Sequence, residues 1–296
     1  MRFFTTGGTQ PATFTVYAGL VLGVSAVSSA AILIRLADAP ALSIAAYRLL
    51  LASVFVVPIG LATDWTKLRA LTSRQWGLVT VSAACLAAHF AFWITSLEHT
   101  SVASSVIIVT ANPVLVAIGS KLLLRESASP AVMLGIGMAL FGGLVITVGD
   151  WEMGERRLYG DFLAFLGATA VAGYYIAGRS LRERLSLFGY IAPVYGVAAG
   201  ILLVMVFVTG TDMGGFSLET YGYLALIGVV PQLVGHSSLN WSLGYLPATL
   251  VSTAVMAEPV GATLLAWAVL DEAPPLATVA GGALMLAGVY IALRRR

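Results

Sequence analysis

One carboxylate stands inside a long apolar run, "TAVMAEPVGATLLAWAVL", at Glu258, with a helix breaker, Pro259, directly after it. A carboxyl group at bilayer depth costs about 2.5–3.5 kcal/mol to insert. It must therefore face protein or a wet route, where it can take a proton or find a hydrogen-bond donor. The run "TANPVLVAIG" repeats the arrangement with an amide, Asn112, before Pro113. Each proline leaves the carbonyl four residues earlier without its amide partner. Those carbonyls belong to Val109 and Val255. They can face a cavity or be closed by nearby hydroxyls, of which Ser104, Ser105, Thr110, Ser252 and Thr253 are within reach along the chain.

Further polar groups sit at helical spacing in apolar surroundings. His89 and Trp93 are four apart and share one helix face, with Phe90 and Phe92 beside them. Tyr174 and Tyr175 lie midway through "AVAGYYIAG", and Gln232, His236 and Asn240 follow one another at four-residue steps. Such a stripe cannot face lipid cheaply. The chemistry these residue types offer is binding: rings that stack on a ligand, imidazoles and amides that bond it, and a carboxyl group that balances charge. The candidate binding set is His89, Trp93, Asn112, Tyr174, Tyr175, His236, Asn240 and Glu258, with Pro113 and Pro259 as the breaks that gate it. Gln232 reads as a bridge between helices. Arg48 sits about two turns inside the end of its span, where it can snorkel to the surface or pair with an acid, Asp161 being one candidate.

Nothing in this set has the form of a catalytic centre. There is no HExxH, no pair of intramembrane aspartates and no glycine-flanked serine elbow. His236, Ser237 and Ser238 are neighbours in sequence, and adjacent residues on a helix diverge by about 100°, so they make no nucleophile and base pair. The single cysteine, Cys85, excludes an intrachain disulfide and a thiolate metal cluster. Neither a cofactor nor a metal is expected, and the chain reads as a non-enzyme.

The elements that hold these residues follow from composition. Hydrophobic residues make up 59% of the 296 and charged ones only 10%, against about 25% charged in soluble domains. Apolar segments long enough to cross a bilayer recur near 14–37, 41–62, 75–97, 101–123, 129–149, 159–179, 187–209, 217–240, 247–269 and 274–293. They lack the short alternation of membrane barrel strands, so the expected fold is an all-α membrane bundle of ten transmembrane helices. The first segment is too long for a signal-peptide core and reads as a retained helix. Small residues four apart, at Gly19 and Gly23, Ala139 and Gly143, and Gly196 and Gly200, are packing signals.

Charge sets the expected orientation. Twelve Lys and Arg residues, among them Lys67, Lys121, Arg179 and Arg182, fall on one side of this topology, against three on the other, Arg35, Arg156 and Arg157. The positive-inside rule then puts both termini in the cytoplasm. The net charge of +2 is scattered over several loops without aromatic interleaving, which argues against nucleic acid as a partner.

The chain also contains a duplication. At an offset of 146, Pro113 falls on Pro259, Glu126 on Glu272, Gly135 on Gly281 and Gly142 on Gly288. The shift moves the pattern by five spans, and an odd number of crossings reverses direction. The chain therefore reads as two inverted five-helix repeats, 14–149 and 159–293, an arrangement suited to alternating access.

With its Pro-to-Glu blocks, each followed by a Gly-containing helix, and "YRLLLASVFVVP" in the second span, the chain resembles the drug/metabolite transporter superfamily in its ten-helix EamA form. Within it, the chain is most similar to YddG-type aromatic amino-acid exporters. The resemblance implies a carrier in the bacterial inner membrane, with a central cavity lined from both halves, that moves amino acids or related small metabolites outward; a monomer is the expected functional unit, and the buried carboxyl group of Glu258 makes protons a candidate coupling ion. A drug or other metabolite carrier of the same superfamily is the alternative, and an intramembrane enzyme the remote one.

Overall fold

The computed structural model describes residues 11–148, 155–270 and 273–294. Arg2, Glu272, Arg295 and Arg296, used above, lie outside them, as does the side chain of Arg156. Among the described residues there is no strand, and ten apolar helical spans follow one another: α1 (Thr13–Leu36), α2 (Ala41–Arg69), α3 (Ser73–Ser96), α4 (Val102–Leu124), α5 (Pro130–Val148), α6 (Arg157–Arg182), α7 (Leu187–Thr209), α8 (Leu218–Ser242), α9 (Ala248–Val269) and α10 (Leu276–Arg294). Nine of these have the length and hydropathy to cross a membrane, and α5 contributes a shorter apolar helix.

Local chemistry sets the ends. A reciprocal capping box between Thr72 and Gln75 opens α3. The hydroxyls of Ser101, Ser186 and Ser217 each accept a first-turn amide, of α4, α7 and α8 respectively. Gly210 closes α7 in the left-handed conformation that a side chain would strain.

Four spans are interrupted, and the causes are legible. In α1, Ser28 and Ser29 turn their hydroxyls back onto the carbonyls of Val24 and Ala26. In α4 and α9 the chain breaks just before Pro113 and Pro259. In α8, Pro231 lies within a π-helical stretch, Gly228–His236, a rare conformation that is frequent at functional sites.

The two halves interleave. α2 packs on α7, α4 on α9 and α5 on α10, while α3 packs on α6 and α1 on α8. A shift of five helices returns each of the first three pairs to itself and exchanges the last two, which is what a two-fold relation between repeats requires. The crossing of α5 and α10 shows the same relation atom by atom. A Cβ at Gly142 would strike the Gly281 carbonyl and the Met285 amide, and one at Gly288 would strike the Gly135 carbonyl and the Ala139 amide. Each of these residues is the other's partner at the offset of 146.

Gly19 and Gly23 bring α1 against Trp241 and Leu239 of α8, as small-residue spacing anticipates. Gly196 and Gly200 do not act this way. Gly200 faces open space and Gly196 meets only Val57 at ordinary contact distance, so this pair mediates no close approach.

Contacts tie the two ends of the bundle. At one end the Tyr17 hydroxyl donates to the Leu293 carbonyl (3.2 Å), which joins the start of α1 to the finish of α10. At the opposite end, Ser43 and Tyr47 of α2 donate to the carbonyls of Asp212 and Met213, in the connection between α7 and α8.

Candidate functional site

Where α4 and α9 break, a cavity of about 30 Å³ remains, lined by Arg48, His89, Trp93, Asn112, Tyr175, His236 and Glu258 and closed by aliphatic side chains such as Val27, Val171 and Leu239. That volume suits one or two waters, whereas small-molecule sites occupy about 300–1,000 Å³. A cavity of this size admits a small molecule only if the surrounding helices part. Asn112 and Glu258, which coincide at the repeat offset, both face the cavity, as do Val109 and Val255, so it lies on the pseudo-two-fold axis.

Six of the eight candidate binding residues meet here: His89, Trp93, Asn112, Tyr175, His236 and Glu258. The His89 and Trp93 rings stack at 5.8 Å with planes 6° apart. Nδ1 of His89 lies 3.0 Å from the Gly167 carbonyl of α6, so that nitrogen carries the proton. His236, at the end of the π-helical stretch, packs against Phe90 in a T-shaped pair with ring centroids 5.3 Å apart.

Tyr174 and Asn240 are not brought to the cavity. The Asn240 amide donates to the hydroxyls of Tyr174 and Tyr195, and Tyr190 bonds Ser82 at 2.8 Å. A buried tyrosine cluster thus forms beside the cavity, toward the end that carries the chain termini. Tyr174 and Tyr175 point apart because consecutive helical residues diverge, and spacing alone does not say which of the two turns inward.

The two breaks are closed differently. The side-chain amide of Asn112 donates to the Val109 carbonyl at 2.8 Å, so this carbonyl is neither open to the cavity nor closed by a hydroxyl, the two outcomes expected from sequence. A carboxylate at Glu258 cannot do the same, and among the described residues no side chain closes the Val255 carbonyl. The neighbouring hydroxyls serve their own helices or another partner: Thr110 donates to Val106, and Ser252 and Thr253 to Thr249, while Ser105 pairs with Ser96. Pro113 and Pro259, buried at the start of the segments after each break, frame the site.

Arg48 corrects the sequence reading. It neither snorkels nor pairs with Asp161. The side chain is only 1% exposed, its Nε donates to Gln232 Oε1 at 2.8 Å, and its Cζ lies 4.1 Å from the centroid of the Phe90 ring. Asp161 instead accepts the hydroxyls of Thr100 and Ser104, at 2.7 and 2.9 Å. No salt bridge joins Arg48 to Glu258 among the described residues, although both line the cavity. Gln232 is a bridge between α2 and α8, as its spacing suggests. The signal that could have placed Arg48 inside is the polar stripe on α8, which needs a donor opposite it.

Ser237 and Ser238 turn away from His236. They line a separate groove of about 330 Å³ between α2, α7 and α8, beside Phe55 and Ile59, whose exposure on spanning helices makes this a membrane-facing surface.

A model of the family described as "EamA-like transporter family" matches residues 13–148 and 158–294. The chain is 24% identical to a riboflavin transporter of Brucella anthropi over 85% of this chain and 88% of that protein. It is 25% identical to a protein of Streptantibioticus cattleyicolor named "Probable terminal-alkyne amino-acid exporter", over 67% of this chain and 66% of that one. An uncharacterized transporter of Archaeoglobus fulgidus shares 24% identity over 84% and 86% of the two chains. A solved crystal structure superposes with a TM-score of 0.78 at 20% identity, covering 95% of this chain and 97% of the other, which establishes likeness of fold.

Proposed function

The chain belongs to the EamA-like transporter family, and from that premise we propose that it exports amino acids with aromatic or apolar side chains, and related small metabolites, by alternating access. The observation that carries the reading is the composition of the central cavity. Trp93, Tyr175, His89 and His236 give it aromatic walls, and Asn112 and Glu258 add polar groups at the two helix breaks. Aromatic faces hold a ring by stacking and cation–π contact, and a few convergent polar groups fix its orientation. The location on the pseudo-two-fold axis is where inverted repeats place a site that must open to either side.

Outward movement is supported by the likeness to a protein named as an exporter, and the basic residues favour both termini inside a plasma membrane, the inner membrane in a bacterium with two. One chain encloses the whole cavity, so a monomer suffices, with the lipid bilayer as its surroundings. Glu258 supplies a group able to carry a proton, and coupling to a proton gradient is part of the proposal.

The test is flux. Full-length protein in liposomes, offered a panel of radiolabelled amino acids with and without a pH gradient, is expected to move phenylalanine, tryptophan or leucine. Failure to move any amino acid overturns the reading. The riboflavin-transporting relative supports a second reading, a flat-ring metabolite held by the same walls, so riboflavin belongs in the panel.

A further inference from the structure

The polar groups around the cavity are sorted by kind. Buried donors lack acceptors: Nη1 of Arg48 and Nε1 of Trp93 in the cavity lining, and Nε2 of Gln232, the residue that bonds Arg48, have no hydrogen-bond partner. The acceptors are Oδ1 of Asn112, which has no partner, and the carboxyl group of Glu258, which lines the cavity. His236 Nδ1, also unpartnered, can play either part. Buried polar groups are satisfied in the great majority of cases, so each orphan calls for an explanation. Orphan donors around a fixed guanidinium call for an anion, and orphan acceptors around a carboxylate call for a cation.

Resting on the amino-acid reading above, we propose that the site takes the complete α-amino acid zwitterion, with the substrate carboxylate on Arg48 and Trp93 and its ammonium between Glu258 and Asn112. Arg48 is built for this role. Its Nε is engaged by Gln232 and its face lies on Phe90, which fixes the plane of the guanidinium and leaves Nη1 for the ligand. A guanidinium binds a carboxylate with directed, charge-assisted hydrogen bonds. Gln232 is a positioning residue: it acts on the substrate only through Arg48. Arg48 and Glu258 form no direct ion pair, so a zwitterion has no salt bridge to break. Amines without a carboxylate, and acids without an ammonium, satisfy only half of the orphans.

The experiment compares phenylalanine with phenethylamine, which lacks the carboxylate, and with 3-phenylpropanoate, which lacks the ammonium, as inhibitors of phenylalanine uptake by the full chain in liposomes. In the native protein both half-molecules are expected to inhibit, each about 10- to 100-fold more weakly than unlabelled phenylalanine, the range for a lost hydrogen bond to a charged group. Arg48→Gln is expected to raise the KM for phenylalanine at least tenfold and abolish inhibition by phenylpropanoate, with inhibition by phenethylamine unchanged. Gln232→Glu keeps an acceptor for Nε but neutralises the guanidinium, so it should raise the KM in the same selective way with little change in maximal rate, while Gln232→Asn should recover part of the affinity. If Arg48→Gln fails to fold, the native inhibition pattern and the Gln232 variants decide. Phenylpropanoate without effect on the native protein, or a KM unmoved in the Arg48 and Gln232 variants, overturns the carboxylate anchor. Native protein that moves no amino acid at all overturns the proposed function instead.

Discussion

At the scale of single residues, the instructive pair is Asn112 and Glu258, which occupy equivalent places and leave their helix breaks in different states. Asn112 closes the Val109 carbonyl with its own amide. Asn112→Ala should lower stability by about 1 kcal/mol through loss of that bond, and Asn112→Asp by more, since it sets an acceptor against a carbonyl. Thermal unfolding in detergent should rank native above alanine above aspartate. The reverse exchange, Glu258→Asn, recreates the Asn-Pro pair in α9. It is expected to stabilise by about 1 kcal/mol while abolishing any dependence of transport on a pH gradient; an unchanged pH dependence would show that the coupled proton travels elsewhere. Most of the cavity was legible because polar residues in apolar spans have few places to go: His89, Trp93, Asn112, Tyr175, His236 and Glu258 all face it. Depth along the span puts Arg48 within reach of the surface only if the end of α2 is wet. The connection between α7 and α8 lies against this end, with Ser43 and Tyr47 bonded to Asp212 and Met213, and Arg48 is buried.

At the scale of elements, the repeat makes a quantitative demand. Gly142 and Gly288 meet equivalent backbone atoms across the α5 and α10 crossing, so a methyl group at either must separate the two helices. Gly142→Ala and Gly288→Ala should each destabilise by about 1–3 kcal/mol, and by similar amounts. Gly200→Ala, which meets nothing, should be neutral or stabilise by up to about 1 kcal/mol through helix propensity. Unfolding temperatures of the three variants check this, and unequal losses at 142 and 288 would mean that the two-fold relation does not extend to the energetics. The crossing shows why sequence resolved spans better than interfaces. Apolar length and paired prolines mark each helix and its partner at the offset of 146. Whether a small residue meets a neighbour or lipid depends on rotation about the helix axis, and a spacing of four residues marks Gly200, which meets nothing, while it passes over Gly142, which packs.

At the scale of the whole molecule, the small cavity means that one end of the bundle must part before a ligand enters. The end that carries the termini is held by α6. Arg179 bonds Glu126, in the connection between α4 and α5, at 2.9 Å, and donates to the Leu243 carbonyl, in the connection between α8 and α9, at 3.1 Å. One side chain thus clasps corners of both halves. Nearby, Arg182 donates to the carbonyls of Asn240 and Leu185, which ties the buried tyrosine cluster to the same corner. Opening this end must break the Arg179 contacts. Pairs of this kind are worth about 1 kcal/mol when partly shielded from water, so Arg179→Ala should shift the balance about fivefold toward the form open at this end. The native chain has one cysteine, Cys85, so a Cys85→Ser background carrying Val171→Cys in the cavity wall gives a clean reporter. In sealed vesicles a membrane-impermeant maleimide added on the side of the termini should label position 171 about five times faster in the Arg179→Ala protein than in the same background with Arg179. Glu126→Gln should have the same effect more weakly, because the bond to Leu243 survives. Equal labelling rates would mean that the clasp contributes nothing to holding this end shut and that the barrier lies deeper, at the tyrosine cluster between Arg182 and the cavity.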